Sequence, residues 1–127
     1  MFKSRIVEII DSHEKEIIDI ARKIWENPET GYKEVFASGI QRQFLKENGF
    51  MIKTVEGMDT AFIAEYGSGE PVIGFMGEYD ALEGQSQNIS AEKEPVTAGA
   101  AGHGCGHNLL GAGSLGAALG IKEHVRH

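Results

Sequence analysis

The first part of the chain has apolar residues at helical spacing. Over residues 5–26 they recur every three or four positions between charged residues: Ile6, Ile9, Ile10, Ile17, Ile20, Ala21, Ile24 and Trp25. This pattern predicts one amphipathic helix that ends before Pro28, because proline disfavours the helical conformation in the residue that precedes it. A second helix is predicted over residues 33–46, with Gly49 just past its end.

The period of the pattern then changes to that of strands. Residues 50–55 and 61–66 read as two short strands, and a Gly-Ser-Gly turn at 67–69 follows the second. Residues 71–76 are almost entirely apolar, which is typical of a strand buried on both faces. We therefore expect three strands in the middle of the chain.

A long polar stretch over residues 83–101 separates these strands from a final helix predicted over residues 108–125. The order helix-helix-strand-strand-strand-loop-helix predicts an α/β fold in which helices pack on a partial sheet. We expect the sheet to be incomplete, because a strand buried on both faces needs more cover than three helices provide.

The length and the net charge of the chain limit the number of domains and the classes of binding partner. A chain of 127 residues suits one domain, and a net charge of -7 argues against nucleic acid or an anionic membrane as partner. No apolar run approaches the roughly 18 residues that cross a bilayer, and we expect no secretory signal. Because Cys105 is the sole cysteine, no disulfide can form within the chain, which suggests a cytoplasmic protein.

The strongest chemical signal is the sequence Gly-His-Gly-Cys-Gly-His-Asn at residues 102–108. In extended backbone, Cys105 and His107 would point to the same side, and thiolate and imidazole both bind zinc. The predicted helix start just after them would favour the thiolate. Two ligands do not complete a site, so a buried thiol beside a helix-capping histidine is an equally good interpretation of the spacing.

A second candidate is Asp80, which directly follows the apolar stretch at residues 71–76. Ligand-handling residues collect at the carboxyl ends of strands in open α/β sheets. Asp80 could orient a metal-bound histidine from behind, although a lone aspartate at a strand end is more often a residue that simply reaches solvent.

Two further patterns suggest other functions. Residues 111–116 match the dinucleotide fingerprint G-x-G-x-x-G, but no strand precedes them, so we expect these glycines to serve helix packing. Cys105 could also be a nucleophile with His103 or His107 as its base, although neighbours this close in sequence are rarely aligned for that chemistry.

Taken together, three segments resemble the metallopeptidase and amidohydrolase family of aminoacylases, hippurate hydrolases, auxin-conjugate hydrolases and p-aminobenzoyl-glutamate hydrolase. Residues 24–34 resemble the family's early HPE-G-E signature, 77–82 its strand-end motif and 102–111 its metal motif. The residues of the second and third motifs are most similar to those of the branch that contains p-aminobenzoyl-glutamate hydrolase and related dipeptidases. The resemblance implies that residues 1–127 form the amino-terminal part of a zinc-peptidase-like catalytic domain.

The resemblance also implies roles for residues. Cys105 and His107 would be two ligands of a paired centre of divalent metal, zinc or manganese, and Asp80 would support a ligand. Sister branches carry a metal-binding histidine where this sequence has Glu78, so a role of Glu78 at the metal stays open.

The implied reaction is hydrolysis of a small-molecule amide, such as an N-acyl amino acid or a dipeptide-like substrate, by metal-activated water. The family's general-base glutamate, two more ligand histidines and a dimerising lid domain would lie beyond His127. The resemblance thus implies a fragment that is inactive or needs a complementary chain. A small non-catalytic metal-binding or scaffold module is the alternative.

Overall fold

The structure, a computed structural model, describes residues 2–125, with side chains from residue 5 onward. Four helices and one hairpin make up its regular elements. In chain order they are α1 (Phe2–Ser12), α2 (Glu14–Glu26), α3 (Val35–Glu47), β1 (Met51–Val55), β2 (Met58–Glu65) and α4 (His107–Val125). The predicted α/β class is confirmed, and the ends of α3 and α4 lie within two residues of their predicted positions.

The prediction of a single first helix is wrong, because the helix is interrupted at His13 and two helices form. Its φ of -106° and ψ of 8° depart from helical values, and the hydroxyl of Ser12 bonds back to the carbonyl of Ile9 at 2.6 Å. Such a local side-chain bond competes with the helical backbone pattern. The break lets α1 and α2 each contact α4.

The two strands form an antiparallel hairpin that packs against α3. Gly57, at a φ of 77°, takes the left-handed conformation that its tight turn requires. Arg42 of α3 reaches the hairpin, where its guanidinium donates to the carbonyls of Asp59 at 2.7 Å and Ala61 at 2.8 Å. The same group lies over the ring of Phe62. Helix α3 and the hairpin are therefore held together by polar as well as apolar contacts.

The predicted third strand does not form. Residues 71–76 pair with no strand among the described residues, and their apolar side chains are not buried. The exposed fractions are 80% for Val72, 61% for Ile73 and 90% for Met76. The prediction of a strand buried on both faces is therefore wrong for the described part of the chain, which offers this segment neither a paired strand nor a second layer.

The core lies where α2, α3 and α4 meet the hairpin. Its buried members are Ile20, Ile24, Ala37, Phe44, Leu45, Phe50, Leu115 and Leu119. Glycines of α4 allow close helix contacts, since a Cβ on Gly120 would come within 3.0 Å of Ile6 and one on Gly116 within 3.2 Å of Ile17. The glycines at residues 111–116 thus lie in a packed helix, as expected from the lack of a preceding strand.

Residues 83–101 contain no helix or strand, as predicted, but they are tied together by hydrogen bonds. The Gln87 side chain bonds the backbone of Glu92 and Glu94 at 2.8 and 3.0 Å, and the amide of Ser86 donates to the carbonyl of Ala100 at 2.9 Å. No helix in the described part of the chain is long and apolar enough to cross a membrane.

Candidate metal centre

The three sequence motifs meet in space through short backbone pairings. The amide of Ala81 donates to the carbonyl of Glu29 at 2.7 Å, within a parallel bridge between Thr30 and Ala81. Leu82 and Gly102 exchange both of their backbone hydrogen bonds, at 2.9 and 3.0 Å. The strand-end motif therefore lies between the first motif on one side and the glycine-rich motif on the other.

Glu29 fixes the first motif to α3. One carboxylate oxygen accepts from the amide of Ala37 at 2.8 Å and the other from the amide of Phe36 at 2.9 Å. These amides belong to the first turn of the helix, where no intrahelical acceptor is available and a negative charge is favoured. Glu29 is thus a helix cap supplied from outside the helix.

Gly102 is needed for the close approach of the loop to the glycine-rich motif. A Cβ on this residue would lie 2.0 Å from the carbonyl oxygen of Gln85 and 2.8 Å from the amide nitrogen of Ser86. Any other residue would push the two backbones apart. The glycine therefore sets the position of the following residues, 103–107, relative to the strand-end motif.

His107 is the first residue of α4, and the chain turns into that helix at Gly106. The amides of Leu109 and Leu110 both donate to the carbonyl of Gly106, whose φ of 77° favours glycine. Asp80 Oδ1 accepts a hydrogen bond of 2.7 Å from His107 Nδ1. Asp80 therefore lies beside the Nδ1 side of a histidine of the glycine-rich motif, and its role in supporting a metal ligand stays a prediction.

Glu78 faces the other side of the same ring. Its Oε2 lies 3.2 Å from His107 Nε2, and its side chain is 62% exposed, against 34% for Asp80 and 22% for His107. Donor atoms of these three residues lie within 4.8 Å of one another, and within residues 2–125 they are the group that could hold a metal ion. Sequence reasoning had left Glu78 without a defined role.

Cys105 lies two residues before His107 but outside that group. Its thiol is free and exposed. The extended backbone expected at residues 105–107 is not found, because residues 104 and 105 form a turn that the amide of Gly106 closes onto the carbonyl of His103 at 3.2 Å. The geometry therefore connects Asp80 with His107, while binding of metal by Cys105 stays a prediction.

The geometry does not favour the alternative in which Cys105 is a nucleophile. Both ring nitrogens of His107 face carboxylates, and both ring nitrogens of His103 are buried without a hydrogen-bond partner. Burial lowers the pKa of His103, and the neighbouring charge of His107 contributes in the same direction. Neither histidine is therefore paired with the thiol as a base would be.

Tyr79 holds the strand-end motif against the hairpin. Its hydroxyl donates to the carbonyl of Thr60, and its ring stacks on Phe62 with centroids 6.5 Å apart. Burial raises the pKa of Tyr79 above 10.0, because the phenolate loses hydration there. Since Tyr79 points to the hairpin, its neighbours Glu78 and Asp80 are left to face His107.

The donor set fits a divalent metal. A neutral imidazole nitrogen and a carboxylate are both ordinary zinc ligands, and an aspartate on the far ring nitrogen is the usual support of such a histidine. The family resemblance is sufficient to predict Cys105, His107 and Asp80 as site residues. The position of the Glu78 carboxylate beside His107 and the helix-capping role of Glu29 depend on contacts between distant segments. No local sequence pattern predicts either of them.

Comparisons with known proteins find relatives that match most of the chain. No protein-family model matches the chain. One subunit of the p-aminobenzoyl-glutamate hydrolase of Escherichia coli is 42% identical over 93% of this chain and 25% of that protein. Xaa-Arg dipeptidase of Mus musculus is 31% identical over 96% of this chain and 27% of that protein.

A plant relative extends the comparison. IAA-amino acid hydrolase ILR1-like 4 of Arabidopsis thaliana is 34% identical over 85% of this chain and 24% of that protein. The chain thus spans about a quarter of the length of the curated relatives it matches. Over most of its length, the chain is therefore similar in sequence to amidohydrolases and peptidases such as these relatives.

Proposed function

We propose that this chain supplies part of the metal centre of an amidohydrolase that cleaves the amide bond of an N-acyl amino acid or a dipeptide-like substrate. The observation that carries the proposal is the pairing of Asp80 with His107 Nδ1 at 2.7 Å, within a group of possible metal-binding residues that also includes Glu78. Relatives named as hydrolases of p-aminobenzoyl-glutamate, Xaa-Arg dipeptides and IAA-amino acids support the kind of bond.

In this proposal His107 and Cys105 hold a divalent metal, zinc or manganese, and Asp80 orients His107. Bound metal lowers the pKa of water and polarises a carbonyl, which is the chemistry that amide hydrolysis needs. Asp80 keeps the proton on Nδ1 and fixes the ring plane. Gly106 places His107 at the start of α4, beside the positive end of the helix.

We further propose that the chain needs a complementary chain for catalysis. Support comes from residues 71–76, whose apolar side chains form an exposed, unpaired segment that is unusual on a monomeric protein. One relative is itself named as a subunit of a hydrolase.

A chimera tests this proposal directly. The matched quarter of the Escherichia coli hydrolase would be replaced with this chain, and cleavage of p-aminobenzoyl-glutamate would be measured with added zinc or manganese. We expect hydrolysis, and loss of at least about 99% of it in the His107→Ala chimera, because the metal loses a ligand. The Glu83→Gln chimera, which changes an exposed carboxylate, is the matched control. A folded, metal-loaded chimera without hydrolase activity would refute the enzymatic role.

The alternative is a non-catalytic metal-binding or scaffold module. It is favoured because the described residues bring together a candidate metal group but no general base that we can name beside it. Such a module would be folded, monomeric and metal-loaded on its own, whereas a partner-dependent chain would associate through residues 71–76. Size-exclusion chromatography of the chain with and without zinc separates the two. The proposed compartment is the cytoplasm, where Cys105 would stay reduced.

A further inference from the structure

A groove between α2 and α4 takes no part in the candidate metal centre. Its volume of about 380 Å³ lies at the lower end of the range of small-molecule pockets, about 300–1,000 Å³. Most of its wall is apolar and consists of Ile17, Ile18, Ala21, Trp25, Leu109 and Ala112. The side-chain amide of Asn108, which also lines the groove, donates to the carbonyl of Ala21 at 3.1 Å. This buried bond holds the two helices together beside the groove.

Gly113 keeps the groove open on the side of α4. It borders the groove, and a Cβ on this residue would meet no neighbouring atom within 4 Å. The other glycines of α4 differ, because a Cβ on Gly111, Gly116 or Gly120 would lie within 3.2 Å of another residue. Glycine destabilises a helix interior relative to alanine, and neither close packing nor a positive φ accounts for it at residue 113. Its effect is to leave space in the groove.

The charges beside the groove favour an anion. Arg22 is the one charged residue among the described residues that line it. Asp19 lies 2.7 Å from Arg22 Nη2 and 2.6 Å from Lys23 Nζ, so one carboxylate is shared by two cations and an excess of positive charge remains. The Arg22 side chain is 65% exposed, which leaves its guanidinium accessible to a ligand.

We propose that this groove binds a small amphipathic carboxylate, with its apolar part between α2 and α4 and its carboxylate at Arg22. The planar guanidinium matches the geometry of a carboxylate and can donate two parallel hydrogen bonds to it. The apolar part covers side chains that are otherwise in water, since Ile18 is 58% and Leu109 65% exposed. The proposal is independent of the metal centre, because no candidate metal ligand lines the groove.

The test uses octanoate as the probe and the full chain without metal. Trp25 is the single tryptophan and lines the groove, so its fluorescence reports binding there and not at the exposed residues 71–76. We expect a saturable change in Trp25 emission at millimolar octanoate, as is usual for so small a ligand. The neutral analogue 1-octanol should bind at least about threefold more weakly, because it makes no charge-assisted pair with Arg22.

Two variants test the space and the charge separately. Gly113→Leu should weaken octanoate binding at least about tenfold by filling the groove, whereas Gly113→Ala adds one methyl group and should stay within about threefold. Arg22→Gln should abolish the preference for octanoate over 1-octanol. Lys15→Gln, which removes a positive charge from an exposed position of the same helix, should keep it. Far-UV circular dichroism of each variant checks that the fold is kept.

Each outcome supports or overturns the proposal. Saturable binding that is lost in Gly113→Leu, with a preference for octanoate that is lost in Arg22→Gln, supports it. Absence of a saturable change, equal affinity in Gly113→Leu, or a preference that survives in Arg22→Gln overturns it. A Trp25 emission that responds to protein concentration and not to octanoate also overturns it, because a second copy of the chain then covers the groove.

Discussion

Asp80 Oδ1 accepts a 2.7 Å hydrogen bond from His107 Nδ1 across 27 positions of sequence. One residue follows the exposed apolar segment and the other begins α4, so the bond exists only when the chain is folded. The hydrogen bond restricts the orientation of the His107 ring. A histidine held in this way is prepared to offer Nε2 to a cation.

Replacement of Asp80 tests that support. We expect Asp80→Asn to weaken zinc binding by about 10- to 100-fold, because the neutral amide no longer stabilises the Nδ1 proton and the ring loses its fixed orientation. Isothermal titration calorimetry would measure the change, with Asp11→Asn on the exposed face of α1 as control. Equal affinity of Asp80→Asn and the unaltered chain would show that the hydrogen bond has no role in metal binding.

Glu29 should contribute to stability and not to metal binding. We expect Glu29→Gln to lower the free energy of unfolding by about 0.5–2 kcal/mol, since the first-turn amides of α3 lose a charged acceptor. Urea unfolding followed by the fluorescence of Trp25, the single tryptophan, measures this. Glu26→Gln on the exposed face of α2 is the control, and an equal effect of both variants would contradict a specific capping role.

Two glycines should respond in opposite directions to the same substitution. Gly102→Ala should destabilise the chain by about 1–3 kcal/mol, because the new methyl group overlaps the carbonyl of Gln85. Gly113→Ala adds a methyl group with no neighbour within 4 Å inside α4, and should stabilise by about 1 kcal/mol. Thermal unfolding of both variants checks this, and a neutral Gly102→Ala would mean that the loop does not approach this closely.

Tyr79 should lose its proton at a higher pH than an ordinary tyrosine. Its folded pKa lies above its ordinary value of 10.0 through burial, so the stability it contributes is present below pH 10 and is lost as pH rises through the folded pKa. Absorbance of tyrosinate during a pH titration measures this. The difference between the unaltered chain and Tyr79→Phe should show one step with a midpoint above 10, and a midpoint at or below 10 would contradict the buried position of the hydroxyl.

Local pattern was sufficient for most of the fold and failed where tertiary contacts decide. The helical period of residues 33–46 predicted the position of α3, and the stretch rich in Leu and Ala at residues 108–125 predicted that of α4. The break at His13 depends on both halves of the first segment reaching α4, which periodicity does not encode. The unpaired state of residues 71–76 depends on the lack of a partner strand among the described residues, which no property of the segment itself reveals.

The candidate site could be predicted in part. The residue types at Asp80, Cys105 and His107, with the family resemblance, were sufficient to propose a metal centre. The turn at residues 104–105, which excludes the extended backbone that we expected, is closed by a hydrogen bond from the amide of Gly106 to the carbonyl of His103. Glu78 could be placed only once the structure joined its segment to α4.

The most direct test of the central claim is X-ray absorption spectroscopy of the zinc-loaded chain, because it reports which atoms bind the metal. We expect imidazole nitrogen at about 2.0–2.1 Å and one sulfur at about 2.3 Å, with the sulfur lost in Cys105→Ser and the imidazole lost in His107→Ala. A zinc shell that contains neither imidazole nor sulfur, or one that is unchanged in both variants, would contradict a metal centre built on Cys105 and His107.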